Sequence, residues 1–291
     1  MNHHSWLYMI ALLTLMTGCT AYDTSGSDNS FIGQPIDIRL SVDGTAGTRA
    51  VTALTSGTAW LNGGSSDMKP YTYNAGSYTS TDPLVWTGTN MTITGYYADG
   101  GQTAVASGLA YTINYGSENS GSFLAGETTA SYANRTPVSI VLRQQLAQVS
   151  VTVRTEGGST ATNPQLRNIY TSGTFGQDFD SNGYATGGTN GSGWTVSGST
   201  STIGMSPTAS PGIYQAAIIP QTITAGTTIF TIEVDGLMAS FELASVTTFK
   251  AGCRYNLEID EISHTLYLES EITIKDFDSG ISASESDVQA K

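Results

Sequence analysis

Short runs in which apolar and polar residues alternate recur along this chain, and most of them end at glycine or asparagine. Such alternation has the two-residue period of a β-strand with one buried face. Tyr71 and Tyr73 alternate before Asn74-Ala75-Gly76, for example, and TIFTIEV at 228–234 precedes Asp235-Gly236. Turn residues at this spacing favour a sandwich of short antiparallel strands. No long amphipathic helical run interrupts the pattern, so the sequence predicts an all-β protein.

Residues 34–49, QPIDIRLSVDGTAGTR, join a clear alternation to a candidate cleavage point. The buried face of a first strand over 34–43 would consist of Ile36, Ile38, Leu40 and Val42. The small residues 44–48 predict an accessible loop, and Arg49 after them offers its bond to Ala50 to a trypsin-like protease. A strand that lies upstream of such a bond can be removed from the fold.

Residues 1–18 have the features of an export signal. The apolar run WLYMIALLTLM at 6–16 is too short to span a bilayer comfortably and ends near Gly18, just before Cys19. This order predicts a lipoprotein signal peptide that is cleaved before Cys19, with lipid on the Cys19 thiol. An ordinary signal peptide with an incidental cysteine stays open, because no lysine or arginine precedes the apolar run. The polar residues 19–30 would then form a flexible tether.

Length, charge and cysteine content limit the classes of function. About 270 residues after the signal exceed one ordinary core and suggest two domains. Cys253 is the only cysteine besides Cys19, so core burial and not disulfides must hold the exported chain together. The 24 acidic and 11 basic residues make nucleic acid and anionic membrane surfaces poor partners, because both attract basic patches.

The most apolar long segment, VSIVLRQQLAQVSVTV at 138–153, marks a predicted domain boundary. Its two ends are out of phase, so it must be one bent strand or a strand pair. We predict an N-terminal sandwich over 31–136 and a C-terminal sandwich over 137–291. Between 156 and 205, glycine and serine are so dense that we expect long loops around one or two hairpins, without a core. Residues 114–134 stay open between loop and short helix, and residues 276–291 would form a polar tail.

Few residues could support catalysis or bind a metal. His264 is the only histidine outside the signal region, and neither it nor Cys253 has companions at zinc-ligand spacing. We therefore predict that the protein is not an enzyme and needs no cofactor. Asp178, Asp180 and Asn182 resemble the start of a calcium loop, although Thr189 stands where an acidic ligand would close it. The same residues are typical of a hairpin turn, which is the favoured interpretation.

Tyrosines supply one further hypothesis. Tyr71, Tyr73, Tyr96 and Tyr97 could form an exposed platform that binds glycans. Packing against the sheet is the commoner role of alternating tyrosines, so glycan binding is the secondary interpretation.

Four segments of the C-terminal half occur in an informative order: VSIVLRQQLAQVSVTV at 138–153, AAIIPQTITAGTTIFTIEVDG at 216–236, FKAGCRYNLEI at 249–259 and ITIKDFDSG at 272–280. Together they resemble the fimbrillin family, the major fimbrial subunits of certain outer-membrane bacteria. The chain departs from the family pattern at Gln144 and Gln145, where a histidine often precedes L-A-K/Q-V, and at Phe277, where tryptophan is common. The N-terminal half matches only in its architecture of lipid cysteine, tether, strand and T-R-A site.

The resemblance implies two transthyretin-like β-sandwich domains in tandem and export as a lipoprotein to the surface of the outer membrane. An arginine-directed surface protease would cut after Arg49, and a strand from the next fimbrial subunit would fill the groove that the first strand leaves. That donor would lie within residues 266–291, with Ile272, Ile274 and Ile281 as anchors, although Ile272 and Ile274 could equally belong to the chain's own sheet. The alternative is a surface lipoprotein of the same fold that does not polymerise and serves as an anchor, tip adhesin or glycan-binding protein.

Overall fold

The computed structural model describes residues 29–43, 52–64, 68–98, 109–112, 122–134, 137–155, 159–176, 178–188, 191–262, 265–267, 270–276 and 282–288. Within them one 3-10 helix, Asn29–Phe31, precedes a succession of β-strands, and no α-helix occurs. The predicted all-β class is therefore confirmed. None of the helical residues in these ranges forms a segment long and apolar enough to cross a membrane.

Twenty-two strands follow the helix in chain order. They are β1 (Ile38–Val42), β2 (Thr52–Ala53), β3 (Thr58–Asn62), β4 (Lys69–Asn74), β5 (Ser77–Thr79), β6 (Asn90–Ala98), β7 (Leu109–Thr112), β8 (Phe123–Ser131), β9 (Val138–Gln144), β10 (Ala147–Arg154), β11 (Ala161–Phe175), β12 (Trp194–Gly204), β13 (Ser206–Pro207), β14 (Ile213–Ile218), β15 (Gln221–Ile223), β16 (Thr228–Val234), β17 (Leu237–Glu242), β18 (Thr247–Phe249), β19 (Cys253–Ile262), β20 (Thr265–Tyr267), β21 (Ser270–Asp276) and β22 (Ser282–Val288).

The N-terminal half forms one sheet that folds over itself. Its strand order is β2-β1-β9-β8-β6-β3-β4-β5. The fold-over lies where β9 leaves β8, because the two strands share only the pairs Leu124↔Gln144 and Ala125↔Arg143. Gly126 permits this close crossing, since a side chain there would collide with the Val141 carbonyl. Buried residues of β1 and β9 then join those of β3 and β6 in one core. We call this folded sheet with its core the first sandwich.

The C-terminal half forms a second sandwich from two larger sheets. One has the order β13-β14-β10-β19-β21-β22, with β20 on β19, and the other has the order β12-β11-β16-β17, with β7 on β11. The buried faces of β10, β14 and β19 pack against those of β11 and β16. Strands β10 and β19 run parallel, as β1 and β9 do in the first sandwich. That the two sandwiches share a transthyretin-like topology stays a prediction.

The apolar segment at 138–153 is a strand pair, which was one of the two predicted alternatives. Its first part is β9 in the first sandwich, and its second part is β10 in the second. The chain changes sheets at Gln145 and Leu146, and this break accounts for the change of phase. The predicted boundary between residues 136 and 137 would separate β9 from its partners β1 and β8. We therefore propose Gln145 as the boundary between the domains.

The segment 156–205 shows that the expectation of loops without a core was wrong. It contains β11 and β12, which pair as the predicted hairpin, and β11 is the longest described strand. Leu166, Ile169 and Trp194 are completely buried in it. Serine, threonine and glycine occupy mostly the other face, so a few apolar residues of the right parity are enough to complete a core. Residues 123–131 also form a strand, β8, where a loop or short helix was left open.

The polar C-terminal segment also differs from its prediction. Instead of a tail, residues 282–288 form β22, which pairs with β21 at the edge of the second sandwich. The pairing register includes Ile274↔Ala283 and Ile272↔Glu285. Main-chain hydrogen bonds do not depend on apolar side chains, so a polar segment can extend a sheet at its edge.

Gln145 forms the polar centre of the joint between the two sandwiches. Its side chain is fully buried. The amide nitrogen donates hydrogen bonds to the carbonyls of Ala125 (3.3 Å) and Gly183 (3.1 Å), and the amide oxygen accepts one from the Ala185 N–H (3.1 Å). Its backbone carbonyl accepts the indole N–H of Trp194 at 2.8 Å. One residue thus ties β8 of the first sandwich to the 178–188 loop and β12 of the second.

Aromatic rings surround this polar centre. The ring centroid of Phe123 lies 4.9 Å from that of Phe175 and 5.1 Å from that of Trp194, while Tyr96 meets Phe175 edge to face at 6.0 Å. These residues form a core cluster that is separate from the two sandwich cores. Because Tyr96 and Phe123 belong to the first sandwich and Phe175 and Trp194 to the second, burial at the joint holds the two together.

Candidate functional site

The first strand, β1, lies inside its sheet and not at the edge. On one side it pairs in parallel with β9, in a register from Ile38↔Val138 to Val42↔Leu142. On the other side, among the described residues, it pairs with the two residues of β2 in antiparallel orientation, and the Leu54 N–H donates to the Leu40 carbonyl at 3.2 Å. The strand therefore has one long and one short interface, and its removal would leave a slot between β9 and β2.

The predicted buried face of this strand is largely correct. Ile36, Ile38 and Leu40 are 3–4% exposed, and Val42 is half-buried. The three buried side chains belong to the same core cluster as Ile140 and Leu142 of β9. Burial of each such side chain contributes about 1.5–3 kcal/mol. Loss of the strand would therefore expose apolar surface on β9 to water, and binding of another strand would bury that surface again.

The predicted strand over 34–43 is interrupted near its start. Ile36 donates its N–H to the Leu84 carbonyl at 2.9 Å, and Pro35 forms an isolated antiparallel β-bridge with Val85. Residues 34–36 therefore pair with the segment around Leu84, whereas β1 pairs with β9. The physical reason is Pro35, which has no N–H and cannot continue a ladder on both sides. The described strand therefore runs from Ile38 to Val42. Upstream, Phe31 is buried and stacks on Tyr132 at 4.2 Å between ring centroids.

An ion pair marks the downstream end of β1. Arg143 Nη2 lies 3.0 Å from Asp43 Oδ2, and the two side chains are only 27% and 16% exposed. The Asp43 N–H also donates to the Leu142 carbonyl at 3.0 Å. Sequence reasoning passed over Arg143 because nothing in the sequence shows that it faces Asp43. The ladder between β1 and β9 brings the two residues together.

Four of the predicted site residues lie outside the described residues: Cys19, Arg49, Ala50 and Ile281. Val42 and Thr52 are paired in neighbouring antiparallel strands. Residues 43–51 therefore connect two adjacent strands, and Arg49 and Ala50 belong to that connection.

The proposed donor residues Ile272 and Ile274 belong to β21, which pairs with β19 of the same chain. The register joins Tyr255 to Ile274 and Asn256 to Thr273. The sequence left two roles open for Ile272 and Ile274, as donor anchors or as members of the chain's own sheet. In the described structure they belong to the chain's own sheet. Within the part of the chain that the structure describes, β22 pairs with β21 alone, so this hairpin forms the edge of that sheet.

The calcium-like segment forms a turn within the described residues. Asp180 Oδ1 accepts the N–H groups of Asn182 at 2.8 Å and Tyr184 at 2.9 Å, while Thr186 N–H donates to the Asp178 carbonyl. These bonds have the pattern of an Asx turn. No cluster of three or more histidine, cysteine, aspartate or glutamate residues suited to a metal ion occurs in the described part of the chain.

The tyrosines proposed as a glycan platform do not form one surface. Tyr71 is 2% exposed and accepts the Leu84 N–H on its hydroxyl at 2.7 Å, and Tyr96 is 1% exposed within the joint. Burial raises the pKa of Tyr96 to about 12. Tyr73 and Tyr97 are half-buried against the first core. The packing interpretation is therefore confirmed, and the platform of four exposed rings was wrong.

Comparison with known proteins agrees with this architecture. The sequence profile of the fimbrillin-like family matches residues 41–276, most of the chain. The protein belongs to the fimbrillin-like family. The match includes β1 from Ser41 onward, β9, the joint and β21, so it extends over both sandwiches of this fimbrillin-like chain.

Solved structures similar to this fimbrillin-like protein include candidate cell adhesion proteins from two bacteria. The Bacteroides ovatus protein is 14% identical, with a TM-score of 0.58. The Bacteroides uniformis protein is 17% identical, with a TM-score of 0.57. In both cases the alignment covers 84% of this chain and 98% of the other. At this identity the likeness shows the fold alone. No curated protein sequence matches significantly.

Membership of the fimbrillin-like family supports a role of the fimbrial-subunit type at the cell surface and assembly with other fimbrial subunits. It also favours a structural role over an enzymatic one.

Proposed function

We propose that this fimbrillin-like protein is a structural pilin subunit of cell-surface fimbriae that polymerises by strand exchange and supports adhesion. It is exported as a lipoprotein attached to the outer membrane through Cys19. An arginine-directed surface protease cuts between Arg49 and Ala50, and the segment that contains β1 leaves. A strand from another subunit then enters the slot.

The position of β1 is the observation that carries this proposal. The strand is bound by a parallel ladder to β9 and contributes Ile38 and Leu40 to the core, whereas its other side has the shorter contact with β2 and one hydrogen bond from Leu54. A single cut in the connection between β1 and β2 would turn the strand into a separate peptide. A replacement would regain both the ladder and the apolar burial, which are the two sources of affinity in strand addition.

The donor in this proposal comes from residues 266–291 of the next subunit, with Ile272, Ile274 and Ile281 as anchors. In the described structure β21 and β22 form a hairpin at the edge of their sheet. Edge strands are the elements of a sheet that most readily pair with another chain.

One observation favours the alternative of a surface lipoprotein that does not polymerise and acts as an anchor, tip adhesin or glycan-binding protein. The strand β21 is paired on both sides within its own chain, by β19 and β22. A subunit that keeps this pairing has no strand to donate. The two functions therefore differ in whether the C-terminal hairpin opens.

Limited proteolysis of the soluble chain that starts at residue 20 tests the proposal. Brief trypsin treatment should yield a stable product that begins at Ala50 and forms ladders on gels without boiling. Arg49→Ala should abolish both the product and the ladders. Arg154→Ala is the matched control, because this exposed arginine lies in the second sandwich, and it should leave both unchanged.

Other outcomes would identify the failing part of the proposal. Cleavage at Arg49 without ladders would favour the alternative function, and ladders formed by Arg49→Ala would rule out activation by this cut. Deletion of residues 270–291, which removes the proposed donor, should stop ladder growth.

A further inference from the structure

The ion pair between Asp43 and Arg143 lies at the end of the proposed exchange slot, and the inference below rests on that proposed function. The pair joins the residue directly after β1 to the next-to-last residue of β9. The carboxylate is the more buried partner, with 16% of its side chain exposed. A charge-assisted hydrogen bond that is partly shielded from water is stronger than an exposed ion pair.

Arg143 is held by groups that do not leave with β1. Its backbone pairs with Ala125 of β8, and its carbonyl accepts the Gln145 side-chain amide at 3.3 Å. Its guanidinium packs over Gly183 of the second sandwich, where any side chain would collide with Nη1. Gly183 has φ +79°, so both its conformation and the available space favour glycine. The cation is therefore positioned before any new strand arrives.

Departure of β1 would leave this cation without its carboxylate. Among the described residues, Asp43 is the one carboxylate paired with Arg143. A partly buried charge that loses its partner costs free energy, so the empty slot should select a strand that restores the pair. An apolar slot alone specifies register only by side-chain size, whereas a fixed charge at one end specifies register and direction together.

We propose that Arg143 determines which strand enters the slot, and in which register, by binding an acidic residue directly after the last apolar anchor of that strand. The pattern follows β1 itself, in which Ile38, Leu40 and Val42 precede Asp43. The entering strand runs parallel to β9, because the opposite direction would put the acid at the far end. Residues 266–269 of this chain, LYLE, repeat the order of residues 40–43, LSVD, so a second copy of this chain carries the pattern with Leu266 and Leu268 as anchors, in place of the Ile272, Ile274 and Ile281 anchors of the proposed function.

Peptide binding to the trypsin-cut soluble chain tests this proposal, after removal of the released segment. The probes are labelled peptides of residues 34–43, one with the natural sequence and one with Asp43→Asn, and the readout is fluorescence anisotropy. The natural peptide should bind about tenfold more tightly, as expected for one charge-assisted contact. Higher salt should reduce the difference. Because both peptides are compared on the natural protein, the result does not depend on the folding of a variant.

Charge reversal supplies the second arm. Arg143→Glu should prefer a peptide with Asp43→Lys, and Arg143→Gln should bind the natural and Asp43→Asn peptides equally. If the natural protein binds both peptides equally, or if Arg143→Glu still prefers the acidic peptide, the role of Arg143 is overturned while strand exchange stands. If no peptide binds any cut protein, strand exchange itself fails and the inference with it.

Discussion

At the scale of single residues, Gln145 shows how a buried polar group can specify a joint. An unpaired amide would be costly in this position, but both polar atoms of its side chain have partners from the surrounding strands. The family resemblance marks the neighbourhood as unusual, since histidine is frequent where Gln144 and Gln145 stand. The sequence alone does not say that Gln145 bonds to both sandwiches.

Replacement of Gln145 by leucine should destabilise the protein by about 2–4 kcal/mol, because each buried group left unpaired costs about 1–3 kcal/mol. The affected groups include the Gly183 carbonyl and the Ala185 N–H. Urea denaturation measures the loss. Gln148→Leu is the matched control: its bonds to Gln215 and Arg254 lie on the solvent-facing side of β10, so the cost should stay below about 1 kcal/mol. Equal losses would contradict the role of Gln145.

Glu127 predicts how stability depends on pH. Desolvation raises the pKa of Glu127 above its ordinary value of 4.5, and the charge of Asp178 raises it further. The folded state thus favours the protonated form of Glu127. Ionisation of this carboxyl therefore lowers the stability of the fold, and the loss develops as pH rises from 4.5 through the raised pKa. Because Glu127 is exposed and solvent screens its charge, the effect is small: Glu127→Gln should melt at a slightly higher temperature than the natural chain at about pH 7 and at the same temperature below about pH 4. Glu242→Gln controls for net charge, and an equal gain there would exclude a local cause.

At the scale of elements, the crossing of β8 and β9 gives the first sandwich its shape. Gly126 on β8 pairs with Gly95 on β6, and the missing side chains leave room for β9 to pass. This lets Ile140 and Leu142 enter the core beside Leu61, and β9 then offers its free edge to β1. The slot for the first strand is thus a consequence of how two later strands cross.

A methyl group at residue 126 should therefore damage the first sandwich. Gly126→Ala would push against the Val141 backbone, which cannot move aside as a flexible side chain can, and overpacking of this kind costs about 1–3 kcal/mol. Gly204→Ala on β12 is the control, since nothing lies near its added carbon and alanine restricts the unfolded chain. Thermal melting should show a lower midpoint for Gly126→Ala and an unchanged or higher one for Gly204→Ala. The reverse order would show that the crossing tolerates a side chain.

At the scale of the whole molecule, the joint makes the two sandwiches depend on each other. The rings of Phe123, Phe175 and Trp194 pack together across it, and the Trp194 indole N–H is bonded to the Gln145 carbonyl. Arg143 lies at the same place, with Asp43 on one side and Gly183 on the other. The strand slot and the second sandwich are therefore in contact through a few residues.

Removal of the Trp194 ring should separate the unfolding of the two sandwiches. We expect one heat-absorption peak for the natural soluble chain and two for Trp194→Ala, because loss of a buried aromatic ring costs about 3–5 kcal/mol and here falls on the joint. Differential scanning calorimetry makes the measurement. Phe249→Ala is the control, since Phe249 is equally buried but lies inside the second core, where its loss lowers stability without touching the joint. A single peak for Trp194→Ala would show that other contacts couple the sandwiches.

The success of sequence reasoning differed between segments of dense apolar alternation and segments of polar composition. Where apolar residues alternate densely, as in Ile36 to Val42 or in residues 228–234, the strands, their buried faces and the Asp235-Gly236 turn were predictable, because side-chain parity is a local property. In residues 156–205 and 282–288 polar composition concealed strands, because their place depends on neighbours that are distant in sequence.

The sequence by itself determined the all-β class, the family and the inward face of the first strand, because a two-residue period and turn chemistry are written in neighbouring residues. The tertiary structure alone decided that β1 lies between β9 and β2, that the chain changes sandwich at Gln145, and that Arg143 meets Asp43. These facts depend on strand order and on the crossing at Gly126, which bring together residues about a hundred positions apart. No local pattern in the chain encodes such a meeting.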